Sequence, residues 1–193
     1  MQFELTEQQR MIKELAADFA AREVAPIAAQ IDEEERFPAE VVKKMGALGF
    51  MGMNVSEKYG GAGLDMVCYV LAMEEISKAC ASTGVIMSVN NSLVCWPLET
   101  YGTEEQKVKW LTPLAKGEKL GAYCLSEPGA GTDAAAQTTT AKKDGDHWVL
   151  NGMKNFITNG ANADTLIVFA HTNPELKHKG ILAFIVDAKS EGF

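Results

Sequence analysis

The chain has 193 residues, enough for one ordinary domain or two small ones, and its 47% hydrophobic and 23% charged residues strike a globular balance. Eighteen Lys and Arg against 26 Asp and Glu leave a net charge of −8, and nowhere do basic residues gather into the face that tracking a nucleic-acid backbone requires. Membrane spanning is excluded as well, because the most apolar stretch, Thr83 to Trp96, is too short and is broken by Ser88, Asn90, Asn91 and Ser92.

Soon after Met1, Thr6-Glu7-Gln8-Gln9 forms a capping box that predicts a helix start. A signal peptide has no place ahead of it, so the expected compartment is the cytoplasm, or the mitochondrial matrix if a presequence has been removed. Residues 6 to 35 read as one long helix whose apolar positions (Ile12, Leu15, Phe19, Ala20, Val24, Ile27 and Ile31) share a face. Pro26 should kink or split it. The acidic run Asp32 to Glu35 ends it as a solvated stretch. Pro38 opens a second helix through Leu48, which Gly49 closes.

A glycine-rich loop, Tyr59-Gly60-Gly61-Ala62-Gly63, follows, and Asp65 is placed to cap a helix from Met66 to Cys80. Apolar residues surround most of that helix, which predicts burial among others. Its Glu74 and Glu75 could suggest a carboxylate pair, but Glu74 and Lys78 stand at i,i+4 and read as a surface ion pair. Another buried helix is expected from Thr83 to Thr100, broken near Pro97, and Thr103 to Gln106 is a second capping box, starting a helix that ends near Gly117.

Beyond Gly117 the pattern alternates. Strands are expected at Leu120 to Leu125, Thr138 to Lys142, Trp148 to Leu150, Thr165 to Ala170 and Ile181 to Val186, with Asp144-Gly145-Asp146 turning a hairpin. The fold class is therefore α+β multidomain: an all-α helical domain over residues 1–117, then an antiparallel β-barrel domain over 118–193. About five strands leave that second domain incomplete, so the chain reads as the front part of a longer protein. Cys68, Cys80, Cys95 and Cys124 are too far apart for a CxxC motif and read as buried, reduced thiols. His147, His171 and His178 show no metal-ligand spacing and read as surface residues.

Gly129-Ala130-Gly131-Thr132-Asp133-Ala134 matches the G-x-G-x-x-A fingerprint of dinucleotide-binding folds. That mechanism needs a helix directly after the glycines and an acidic residue about 20 positions on. Here a strand-forming run, Thr138-Thr139-Thr140, follows at once and position 151 is Asn151, so the fingerprint fails. The loop can still cradle a phosphate with bare backbone N–H groups, or be a plain Pro-Gly turn.

Two stretches decide between these. Tyr123-Cys124-Leu125-Ser126-Glu127-Pro128-Gly129-Ala130-Gly131-Thr132-Asp133 and Lys154-Asn155-Phe156-Ile157-Thr158-Asn159-Gly160 together resemble the acyl-CoA dehydrogenase family. In the helical half, Tyr59 to Gly63, Ser82 to Val85 and Tyr101 to Lys107 resemble family segments in family order, and Thr83 to Leu93 is most similar to the short-chain, butyryl-CoA members. The resemblance spans the whole chain.

The resemblance implies FAD as cofactor and α,β-dehydrogenation of a short-chain acyl-CoA to the trans-2-enoyl-CoA, with hydride leaving to flavin N5. It places Phe156 against the flavin ring, where many relatives carry tryptophan, with Ile157 beside it, and the Thr158 hydroxyl near N5. Tyr123, Leu125 and Ser126 would hold the pyrimidine end, and Thr132 would meet a cofactor or CoA phosphate. Taken without the resemblance, Phe156 and Thr158 read as a core aromatic and a strand threonine. Asn90 and Asn91 could face the thioester or the flavin, or be satisfied buried amides. The resemblance gives Glu127 no role as base. It puts the catalytic base in a C-terminal helical domain that this chain lacks, so no catalytic residue is expected here. It also implies an electron-transferring flavoprotein as partner and a homotetramer when full length. An acyl-CoA oxidase, or a flavin- or CoA-binding assembly module without catalysis, are the alternatives.

Overall fold

The computed structural model describes residues 4–193, so the first three residues of the expected helical domain lie outside it. The chain divides into two compact units, one ending at Leu120 and the other running Gly121–Phe193.

The helical unit contains α1 (Glu7–Phe19), α2 (Ala25–Glu33), α3 (Ala39–Ala47), α4 (Met66–Ala79), α5 (Ala81–Ser88), α6 (Trp96–Tyr101), α7 (Glu104–Gln106) and α8 (Thr112–Ala115). Local chemistry sets the starts. Thr6 and Thr103 each form a reciprocal capping box, with Gln9 and Gln106. Asp65 caps α4 by accepting from the Cys68 amide at 2.7 Å.

The prolines do something more specific than kink. Wide turns at Ala20–Val24, Val89–Cys95 and Lys107–Leu111 precede α2, α6 and α8, each of which carries a proline at its start. In each, the amide just before the proline reaches back five residues: Ala25 to Ala20, Trp96 to Asn91 and Thr112 to Lys107. A proline in a helix collides with the carbonyl four residues back and offers no N–H. One extra residue in the turn moves that carbonyl aside and lets the helical path continue.

The core of this unit gathers Phe19, Val24, Met45, Phe50, Met51, Met53, Ile76 and Met87, with Phe19 and Phe50 edge to face at 5.7 Å. α3 and the end of α8 meet backbone to backbone, where a Cβ on Gly117 would lie 2.4 Å from the Gly46 Cα. Two expectations change here. Leu15 stays 39% exposed, off the buried face of α1. α4 and the helix after it are not buried all round: Met66, Val67, Val70, Val85, Leu93 and Trp96 are exposed, because nothing in their own unit covers that side.

The second unit is an open sheet of β1 (Gly121–Cys124), β2 (Thr140–Asp144), β3 (His147–Asn151), β4 (Thr165–His171) and β5 (Ile181–Asp187). The helical-then-β order stands, but the sheet is mixed rather than antiparallel. β4 is central: antiparallel to β5 along its whole length, parallel to β1 from Thr165 to Val168, and joined to β2 in parallel at His171. β1 and β2 lie in line along one edge of β4, because the connecting loop carries the chain onward without reversing it. Alternation of side chains decides which face is buried, not strand direction, so the pattern alone could not show this. β2 and β3 form the expected hairpin, turning at Gly145 with φ +57°.

His171, expected at the surface, is only 7% exposed. It ends the central strand, and its backbone amide donates to the Thr139 carbonyl at 2.8 Å. His147 and His178 are exposed. All four cysteines are free thiols, three of them buried and Cys80 only partly so; burial pushes the Cys68 and Cys95 thiols up, and Cys124 up to about 11, which keeps those three protonated.

Candidate functional site

The two stretches that carried the resemblance meet inside the β unit. β1 delivers Leu125 and Ser126 past its end, and the Asn155 amide donates to the Ser126 carbonyl at 3.0 Å. Glu127 and Ala130 then exchange backbone hydrogen bonds in both directions at 3.0 Å, closing a tight turn over Pro128 and Gly129. Gly131 and Thr132 follow, exposed, and Asp133 caps a single short turn, Ala134–Ala136. No crossover helix fits there, which removes the dinucleotide-fold geometry.

Glycine is not demanded by packing in this loop. A Cβ built on Gly129 or Gly131 meets nothing within 4 Å, and neither residue has a positive φ. What the glycines provide is bare backbone facing open space, the surface a phosphate or other polar group can approach closely.

Residues 154 to 160 are anchored at three points. Lys154 reaches the Leu125 carbonyl and the Glu127 carboxylate. Ile157 packs on Ala122, Cys124 and Leu166 of the sheet core. Asn159, with φ +69°, donates from Nδ2 to the Gly121 carbonyl at 3.0 Å. Between these anchors Phe156 is held at φ +54° with its ring 94% exposed. A large aromatic in the left-handed region, turned fully to solvent, costs free energy twice over: strain in the backbone and apolar area in water. The reading of Phe156 as a core aromatic is thereby removed. The Thr158 segment is likewise an anchored turn and not a strand.

Thr158 is half-buried, as are Leu125 and Ser126. Tyr123 lies on β1 beside Ile167, its ring 5.0 Å from Phe169, and burial pushes its phenol up. Thr132 lies in the exposed loop downstream of Ser126.

The Glu127 carboxylate, to which the resemblance gives no role as base, is fully engaged. It accepts from the amides of Thr138 and Thr139, from the Thr138 hydroxyl, and from Lys154 Nζ at 2.8 Å. Burial alone would raise its pKa; Lys154 and these donors outweigh it and bring it down to about 2. A carboxylate so held does not take up a proton at neutral pH. Gln137, 4% exposed, completes the cluster by accepting from Lys154 at 2.8 Å. Lys154 stood in the quoted stretch without a role of its own and Gln137 was not singled out, because their contacts join residues 17 to 29 positions apart.

Asn90 and Asn91 resolve in favour of satisfied amides. Asn91 accepts from the Met53 amide at 2.8 Å and donates to the Phe50 and Met87 carbonyls. Asn90 donates to the Met51 carbonyl at 2.7 Å. Both tie the 50–53 loop to the wide turn of their own unit.

The chain is similar over its length to known proteins. The sequence pattern described as "Acyl-CoA dehydrogenase, N-terminal domain" matches residues 6–118, and "Acyl-CoA dehydrogenase, middle domain" matches 122–193. The chain belongs to the acyl-CoA dehydrogenase family. Among acyl-CoA dehydrogenases it is 54% identical to the short-chain specific enzyme of Clostridium acetobutylicum, covering 100% of this chain and 51% of that protein. The structure of butyryl-CoA dehydrogenase from Megasphaera elsdenii superimposes with a TM-score of 0.96 at 42% identity, again over 100% of this chain and 51% of the other. Acyl-CoA dehydrogenase complexed with FAD from Bacillus anthracis gives 0.90 at 38% identity, over 98% of this chain and 32% of that one. The chain thus spans about half the length of the curated relatives it matches.

Proposed function

We propose that this chain is the FAD-holding front half of a short-chain acyl-CoA dehydrogenase, with residues 1–117 as its N-terminal helical domain and 118–193 as the first part of its middle domain. The observation that carries the reading is the Asn155–Ser126 hydrogen bond, which joins both motif stretches into one wall with Phe156 standing out of it. Residues and group fit: an isoalloxazine ring needs an apolar face on one side and polar contacts along its edge. Phe156 offers the face, and the exposed backbone of Gly129 and Gly131 the approach for a phosphate.

Bound FAD would supply the two-electron acceptor for removing the α and β hydrogens of an acyl-CoA thioester. Phe156 would then bury its ring against the flavin, recovering the free energy lost by its exposure. The Thr158 hydroxyl would donate to the ring where negative charge develops, favouring the transition state over the ground state. Tyr123, Leu125 and Ser126 would hold the pyrimidine end through backbone and side chain, Ile157 would lie beside Phe156 at the ring, and Thr132 would donate to a phosphate. No residue here serves as the base that removes the α-proton; that carboxylate belongs to the second half of the whole enzyme. Butyryl-CoA-like thioesters as substrate are supported by the identity to short-chain relatives. An electron-transferring flavoprotein as acceptor and a homotetramer complete the proposal, on family grounds.

Titrating FAD into the purified chain and following flavin fluorescence tests this. We expect weak, saturable binding and no bleaching by butyryl-CoA. Gly131→Ala leaves stability within about 0.5 kcal/mol, since its methyl meets nothing, yet weakens binding severalfold. Robust turnover by these residues alone, or no FAD binding at all, refutes the proposal.

A further inference from the structure

Lys154 does more than sit beside the junction. Its three ammonium protons have three acceptors: the Leu125 carbonyl at 3.0 Å, Glu127 Oε1 at 2.8 Å and Gln137 Oε1 at 2.8 Å. The side chain is only 10% exposed and that of Glu127 only 3%, so these are charge-assisted bonds shielded from water. Glu127 in turn holds the Thr138 and Thr139 amides, so one ammonium group binds the strand-end loop, the entry to β2 and its own turn.

We propose that Lys154 is the positioning residue of the cofactor wall, pinning the Leu125–Glu127 stretch onto the Asn155–Thr158 turn so that the ring-facing and edge-facing groups are presented together. The inference rests on the FAD reading above. The physical case is one of preorganisation. The ring face comes from one stretch and the edge contacts from another, 27 or more residues apart in sequence. A ligand that finds them already fixed does not spend binding energy on ordering them. Without the ammonium group, the backbone bond between Asn155 and Ser126 must hold a half-exposed junction while Glu127 is left a buried anion without its cation.

The test compares Lys154→Met, which keeps the methylene packing, Lys154→Arg, which keeps the cation, and Lys143→Met, which removes an exposed lysine of β2. Amide hydrogen exchange on the FAD-free chain and FAD titration by fluorescence are both read. In Lys154→Met we expect β4 and β5 amides to exchange as in wild type, Asn155 and residues 156–160 to exchange faster, and FAD to bind about tenfold or more weakly. Lys154→Arg should recover most of the affinity, and Lys143→Met should match wild type. Unchanged exchange and affinity in Lys154→Met overturn the proposal. So does a protection loss spread evenly over β4 and β5, which would make Lys154 a general fold residue, and so does failure of Lys154→Arg to recover affinity. If wild type itself binds no FAD, the cofactor reading fails, while the local exchange pattern still decides whether Lys154 holds the two stretches together.

Discussion

Replacing Asn91 by leucine probes how the helical unit holds the 50–53 loop. The amide is 5% exposed and makes three hydrogen bonds: one accepted from Met53 N, two donated to Phe50 O and Met87 O. Leucine is close in size, so the loss is polar. Met87 lies within the same helical path, but Met53 N–H and Phe50 C=O lose their side-chain partner in the interior. An orphaned buried backbone group costs about 1–3 kcal/mol, so Asn91→Leu should destabilise the unit by about 4 kcal/mol. Urea unfolding followed by far-UV circular dichroism reports this, since the α-helices of the described residues all lie in that unit. The midpoint should fall by roughly 2 M or more with little change in slope. Ser92→Ala is the internal control: its hydroxyl bonds the Ser88 carbonyl at 2.7 Å at an exposed site, and its removal should cost about 0.5 kcal/mol or less. A midpoint for Asn91→Leu within that of Ser92→Ala would refute the argument and return Asn91 to the list of candidate ligand contacts.

The β unit should weaken in acid through Glu127. Its folded pKa of about 2 lies below the ordinary 4.5, so its contribution is complete above pH 4.5 and is lost as the pH falls toward 2. The shift corresponds to roughly 3 kcal/mol. With Trp96 and Trp110 replaced by phenylalanine, Trp148 fluorescence reads the β unit alone; Glu127→Gln should flatten the pH profile in that window, and parallel profiles would count against the ion pair. Phe156→Gly should stabilise the FAD-free chain by about 1 kcal/mol, because it relieves a left-handed φ and gives up almost no packing. The same change should cost most of the FAD affinity, and a variant that melts lower while binding FAD as wild type would contradict both halves.

Several features were legible before any coordinates because their causes span only a few residues. Thr6 with Gln9, Thr103 with Gln106 and Asp65 with the Cys68 amide are contacts within three positions. The turn at Gly145 and the single short turn, in place of a crossover helix, after Gly131 belong to the same class. The two stretches that carry the resemblance were recognisable as motifs, yet nothing in their composition announced that Lys154 would cross to Leu125, Glu127 and Gln137. The carboxylate of Glu127 looked available in sequence and is neutralised by a neighbour 27 residues away.

Local chemistry read from the chain alone was therefore enough to place helix caps, strand positions and glycine loops, since propensity, capping and turn geometry act over one or two turns of backbone. Folding decided the rest: that β4 runs parallel to β1, that His171 lies inside and Phe156 outside, that Asn91 serves its own loop, and that one lysine ties the wall together. Each of these depends on which distant segments pack side by side, and burial and partner, more than residue type, fix whether a polar or aromatic group is spent on the fold or left available to a ligand.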